Sequence, residues 1–177
     1  MKHRTSLAWS LCIMVIVAAC SSAVGASSAP ESQTWRTTPL VDVRTGKSFT
    51  IDGLRGSLVA IEPMAAWCTS CAIQQGESRV AIDQIANPNL VYVSLGVDPN
   101  ERPADLAKYA DGKGYEWPFV VAGKDVSRSL AATFGDQILS PPSTPLILIG
   151  PDGDVIQQDF GIHGADDLIK LFSQNLP

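Results

Sequence analysis

Ser57-Leu58-Val59-Ala60-Ile61-Glu62-Pro63-Met64-Ala65-Ala66-Trp67-Cys68-Thr69-Ser70-Cys71 is the stretch whose reading decides the fold. Residues 57–62 follow a Gly turn and are mostly apolar, which predicts a buried strand. From about Ser70 the pattern turns helical, with Ile73, Val80, Ile82 and Ile85 apolar among Gln, Glu and Arg. Cys68 thus falls just after a buried strand and just before a helix. Helix N-termini present unpaired N–H groups and the positive end of the helix dipole. A thiolate there is stabilised, and its pKa can drop from about 8.5 towards roughly 3.5–7.5. Cys71, one turn on, is expected beside Cys68 and deeper. No Asp or Glu at that distance from the helix start opposes the thiolate.

Working outward, residues 40–43 and 48–51 flank Thr45-Gly46-Lys47 and predict a β-hairpin. Asn87-Pro88-Asn89 stops the first long helix, and residues 90–97 read as a second buried strand. Residues 103–109 read as a helix with Pro103 in its first turn. A short strand is expected over 117–121, and a helix over 126–134 capped by Asp125 and closed by Gly135. A strand over 145–149 turns at Pro151-Asp152-Gly153-Asp154 and returns over 155–160. Residues 165–176 read as a terminal helix. The order is β-hairpin, β, α, β, α, β, α, β, β, α. It predicts an α/β fold whose early βαβ units make a parallel core and whose late hairpin adds antiparallel strands.

The chain has 177 residues, 45% hydrophobic and 18% charged, a composition that suits a globular domain. That length allows one domain of roughly 100–150 residues with extras. Such a domain buries enough surface to fold without disulfide staples. Net charge is −5, and no Lys/Arg cluster appears after the first few residues, which sets nucleic-acid binding aside.

The N-terminus reads as an address and an anchor. Lys2, His3 and Arg4 form a basic head. Residues 7–19 are apolar apart from Ser10 and fall short of the about 20 residues a membrane span needs. Val17-Ala18-Ala19-Cys20 resembles the bacterial lipobox, in which the Cys becomes the lipidated first residue. The resemblance implies a signal peptide over 1–19, lipidation at Cys20 and a Ser/Ala-rich flexible tether over 20–36 ahead of a domain at 37–177. The alternatives are a plain secretory peptide cleaved near Ala26 and an uncleaved anchor. Trp35 is expected to pack on the domain. Cys12 would leave with the signal segment.

Cys68 and Cys71 then remain. A structural zinc site usually takes four ligands, and the nearest other soft candidate is the distant His163, so no metal is expected. A bridge between residues three apart closes a tiny loop and removes little unfolded-state entropy. Redox chemistry is the better use of the pair, and it needs no cofactor.

Ala66-Trp67-Cys68-Thr69-Ser70-Cys71 resembles the Trp-Cys-x-x-Cys site of the thioredoxin superfamily, particularly its membrane-anchored TlpA-like branch. Thr144-Pro145 before the strand at 146–149 resembles the family's cis-proline loop. Residues 93–98, with Glu101-Arg102 and the helix to Gly112, resemble the extra segment of TlpA-like and peroxiredoxin-like members. The resemblance covers about residues 37–175. It implies a thioredoxin-like fold: a mixed central sheet flanked by helices, an N-terminal hairpin and a helix-containing insertion. It implies a Cys68–Cys71 disulfide, a cis Thr144–Pro145 bond packed on it, and substrate bound by Trp67, Thr144 and Pro145. Glu62, six residues before Cys68, stands where the family has a buried acid that moves protons to and from the second cysteine; Pro63 departs from the family's usual apolar residue. Pro141-Pro142 is expected to stiffen the approach to Pro145, and His163 to be a surface histidine.

The activity implied is extracytoplasmic, membrane-anchored protein-disulfide oxidoreduction, for example in cytochrome c maturation or in keeping a partner reduced. Protein thiols and disulfides would be the substrates, and a membrane thiol relay the upstream electron donor. Two alternatives remain. Sco-type copper handling uses Cys-x-x-x-Cys with a downstream His. Peroxiredoxin-like chemistry needs Thr three residues before the reactive Cys, where this chain has Ala65.

Overall fold

The computed structural model describes Met1 and residues 33–177. Cys20, the signal segment and most of the expected tether lie outside the described residues. Among the described residues, no helix is long and apolar enough to cross a membrane.

The chain runs α1 (Thr34–Thr37), β1 (Leu40–Val41), β2 (Ser48–Phe49), β3 (Leu58–Met64), α2 (Thr69–Ile85), β4 (Leu90–Gly96), α3 (Pro103–Lys113), β5 (Phe119–Val121), α4 (Lys124–Phe134), β6 (Leu146–Ile149), β7 (Val155–Asp159) and α5 (Ala165–Asn175). The main sheet has the order β5-β4-β3-β6-β7. β3 pairs parallel with β4, and β4 with β5, while β6 joins β3 and β7 antiparallel. The mixed α/β architecture and the element order agree with the sequence pattern. β1 and β2 form the expected hairpin, which turns at Gly46 with φ +71°. Val43 N–H ties the hairpin to the Phe119 carbonyl on the edge strand β5.

β3 is central, and all seven of its residues are buried. Its side chains alternate between two cores. Leu58, Ala60 and Met64 face Cys71 and Ala81 of α2, Leu106 of α3 and Phe172 of α5. Val59 and Ile61 face Trp35, Val126 and Leu130 on the α1/α4 side. By the same alternation Glu62 belongs on the α2 side, an ionisable group on a strand with no exposed face. Pro63 does not break the strand. β6 pairs with β3 only up to Ile61, so no antiparallel neighbour requires a hydrogen from Pro63.

Several local expectations are corrected. α4 starts at Lys124 with Gly123 as its unassisted N-cap, so Asp125 sits in the first turn instead, 3.4 Å from Arg128. The short strand begins at Phe119 rather than Trp117, after Pro118, which has no N–H to donate. The expected packing of Trp35 on the domain holds: it lies in α1, buried against Phe134 with ring centroids 5.4 Å apart.

Candidate active site

Cys68 is the N-cap of α2, in extended conformation. Its sulfur accepts a hydrogen bond from the Cys71 N–H at 3.1 Å, and a disulfide joins Cys68 to Cys71. The cap position puts one orphan helix N–H directly on the sulfur, which is the contact that stabilises a thiolate once the bridge opens. Both cysteines are almost completely buried, Cys71 more so. The Cys68 sulfur lies 3.4 Å from the Ser70 hydroxyl, which donates to the Pro142 carbonyl at 3.2 Å. The Pro141 carbonyl sits 3.2 Å from the Cys71 sulfur, ready to accept its S–H in the dithiol state.

The polar contacts of the dithiol loop are thus with Pro141 and Pro142, in a short 3-10 turn over Pro141–Ser143, rather than with Pro145. The expected cis bond is absent: the Thr144–Pro145 peptide is trans. Thr144 itself reverses the chain, with a left-handed φ of 46° and its N–H bonded to the Pro141 carbonyl. Thr144 and Pro145 are buried, and the strand β6 starts immediately after them. A groove of about 480 Å³ opens beside Cys68, lined by Trp67, Thr69, Ser70, Ile73 and Pro142. Trp67 is 61% exposed at its rim.

The sequence places no acid next to the cysteines, but the fold brings two. Trp67 Nε1 donates to Asp98 Oδ2 at 2.5 Å, and Ala66 N–H donates to Glu101 Oε2 at 2.9 Å. Both carboxylates come from the segment between β4 and α3. The Asn100 N–H and the Trp67 indole hold Asp98 below its ordinary pKa. Glu101 is half-buried, and desolvation raises its pKa although the Ala66 N–H works against it.

Glu62 lies beneath α2 with no exposed surface. Burial pushes its pKa up to about 8, against the lowering effect of Gln75, Tyr92 and Ser94. Tyr92 donates to Oε2 at 3.1 Å, whereas Oε1 meets no donor at hydrogen-bonding geometry. His163 is far less exposed than expected, its side chain being 19% accessible and 3.8 Å from Asp159. Its backbone holds Gln74, one turn beyond Cys71. Among the described residues, no group of three or more His, Cys, Asp or Glu side chains is placed to hold a metal.

Solved proteins from several organisms superpose on this chain. A thiol:disulfide interchange protein of the thioredoxin family from Chlorobium tepidum superposes with a TM-score of 0.64 at 18% identity, over 79% of this chain and 93% of its own. The fold is thioredoxin-like. The thioredoxin domain of a thiol-disulfide oxidoreductase from Bacteroides vulgatus gives 0.62 at 16% identity, over 79% of this chain and 93% of its own. Copper-bound ScoI from Arabidopsis thaliana gives 0.62 at 17% identity, over 77% and 94%. No protein-family model matches the sequence, and no curated protein matches it either.

Sequence reasoning missed the polar residues buried around Glu62: Gln74, Gln75, Ser78, Tyr92 and Ser94. Gln74, Gln75 and Ser78 were legible only as hydrophilic positions of α2, and Tyr92 and Ser94 only as members of a strand. The available signal was spacing: Cys71, Gln74, Gln75 and Ser78 recur at helical intervals on one face.

Proposed function

We propose that this chain is a thiol–disulfide oxidoreductase held outside the cytoplasm by a lipid on Cys20, and that it reduces disulfides of protein substrates. The observation that carries the redox reading is Cys68 at the N-cap of α2, disulfide-bonded to Cys71 beside an open groove. In the reduced protein the Cys68 thiolate attacks one sulfur of a substrate disulfide. The substrate S–S bond breaks, its other sulfur leaves as a thiolate, and a mixed disulfide forms. Cys71 passes its proton to Glu62 and attacks the Cys68 sulfur. The mixed disulfide breaks, the substrate leaves with both sulfurs reduced, and Cys68–Cys71 is oxidised. A membrane thiol relay returns two electrons and two protons. Trp67 and the groove receive the substrate, and Thr144-Pro145, just along the chain from the groove-lining Pro142, complete the binding platform.

Insulin reduction by the reduced protein tests this. Wild type is expected to be active and Cys68→Ser inactive, while Cys71→Ser accumulates the mixed disulfide. Equal turnover by wild type and Cys68→Ser would sink the proposal. The likeness to ScoI favours a second reading, copper handling by the same two sulfurs. A Cu(I) titration of the reduced protein separates the two: tight one-to-one binding without insulin reduction selects copper. The two-residue spacing and the packing of His163 on Gln74 favour redox chemistry. The lipid anchor predicts fractionation with membranes, lost in Cys20→Ser.

A further inference from the structure

The buried polar groups around Glu62 form two chains whose direction is fixed. The His163 backbone holds the Gln74 amide at both ends: its N–H donates to Oε1 at 2.7 Å, and its carbonyl accepts from Nε2 at 3.4 Å. A backbone N–H only donates and a carbonyl only accepts, so the amide has a single orientation. Gln74 Nε2 donates to Ser78 Oγ at 3.2 Å. Ser78 therefore passes its own hydrogen to the Tyr92 hydroxyl at 3.0 Å, and Tyr92 passes its hydrogen to Glu62 Oε2 at 3.1 Å. The second chain starts at the Trp117 indole N–H, also a pure donor, which reaches Ser94 Oγ at 2.9 Å. Gln75 Nε2 donates to the same oxygen at 3.4 Å. Ser94 in turn favours the Glu62 anion.

We propose that the first of these chains makes Tyr92 and Gln74 positioning residues for Glu62: it aims a hydrogen at Oε2 from a fixed direction and so sets the protonation of the carboxyl that takes up and returns the Cys71 proton. The inference rests on the proton-carrier reading of Glu62. In the step itself the S–H bond of Cys71 breaks and an O–H bond forms on the Glu62 carboxyl. The sulfur keeps the electron pair with which it attacks Cys68. The groups that face Glu62 are all neutral: Gln75 from α2, and Tyr92 and Ser94 from β4. Tyr109 of α3 and Tyr115 feel its charge and are neutral too. With no cation among these groups, the aimed donors are what offsets burial of the anion.

Isotope-edited infrared titration of the oxidised protein, labelled in its Glu carboxyls, reads Glu62 directly when referenced to Glu62→Gln. In Tyr92→Phe the Glu62 midpoint is expected to rise by about one pH unit, because one donor to the anion is lost. Ser78→Ala and Gln74→Met are expected to raise it less, in the same direction, because they act through Tyr92. The pH profile of substrate release should move with it. An unchanged midpoint in Tyr92→Phe and Ser78→Ala overturns the proposal. Should Tyr92→Phe not fold, Ser78→Ala, which only deletes a hydroxyl, decides alone. A Glu62→Gln protein with an unaltered activity profile would remove the proton-carrier role, while the infrared shifts would still decide whether the chains act on the carboxyl.

Discussion

The interior beneath α2 and the rim above Cys68 each bring carboxylates towards one dithiol, and they treat them oppositely. Glu62 has no exposed surface, and burial raises its pKa to about 8. Asp98 sits at the surface, where the Asn100 N–H and the Trp67 indole lower its pKa. The same functional group therefore holds its proton up to about pH 8 in one place and stays an anion in the other. Solvent decides the difference: desolvation outweighs three neutral dipoles at Glu62, and has little to act on at Asp98. Glu101, half-buried and bonded to the Ala66 N–H, lies between the two extremes.

The interior side should give the largest effect. Glu62→Gln removes the proposed proton carrier and is expected to slow substrate release at pH 7 by about a hundredfold, measured in stopped-flow turnover of a small disulfide. The same variant separates function from stability. Glu62 in the folded chain holds its proton up to about 8, while in the unfolded chain it loses it near an ordinary carboxyl pKa. Between those values the folded state binds more protons, so this carboxyl makes stability fall as pH rises, and the contribution is lost fully above the folded value. Relative to Glu62→Gln, wild type is expected to lose about 1 kcal/mol per pH unit across that window in urea titrations. Parallel pH curves for the two proteins would remove the buried titration.

The two regions were not equally legible in the sequence. The strand–Cys–helix junction could be read from periodicity alone, whereas Glu62 stood out through the family resemblance, at the end of the strand expected over 57–62 rather than inside the seven buried residues of β3. The Asp98 and Glu101 contacts could not be read. They lie 31 and 35 residues from their partners Trp67 and Ala66 and depend on how the β4–α3 segment folds back. Gln74 and Ser78 were opaque for another reason: polar residues on a helix normally face water, and only the packing of α2 over β3 and α5 buries them. The trans peptide at Pro145 shows a limit of motif reading, since Thr144 makes the reversal through its own left-handed backbone.

The rim should respond more modestly. Glu101→Gln keeps an acceptor for the Ala66 N–H and removes a charge beside the cysteine loop. The Cys68 thiol pKa is expected to fall by about half a unit in ultraviolet thiolate titrations, because a like charge no longer opposes the thiolate. That favours the reduced form and makes the protein a slightly weaker reductant. Asp98→Ala frees the Trp67 indole from its one hydrogen bond and is expected to raise KM for a protein disulfide about threefold, with kcat little changed. A change in kcat alone would mean that Trp67 serves the chemistry rather than the groove.

Ionic strength gives the smallest and most selective effect. The Debye length shrinks from about 10 Å at 0.1 M to about 3 Å at 1 M, so a charge exposed at the rim loses its reach over the groove while a buried one does not. Raising salt across that range should therefore shrink the KM difference between wild type and Asp98→Ala by about half, leaving only the lost hydrogen bond. The Glu62 midpoint should stay where it is, because its burial and its neutral donors involve no mobile ions. A Glu62 midpoint that moves with salt as the Asp98 effect does would mean that water and ions reach beneath α2. The contrast between interior and rim would then be one of degree.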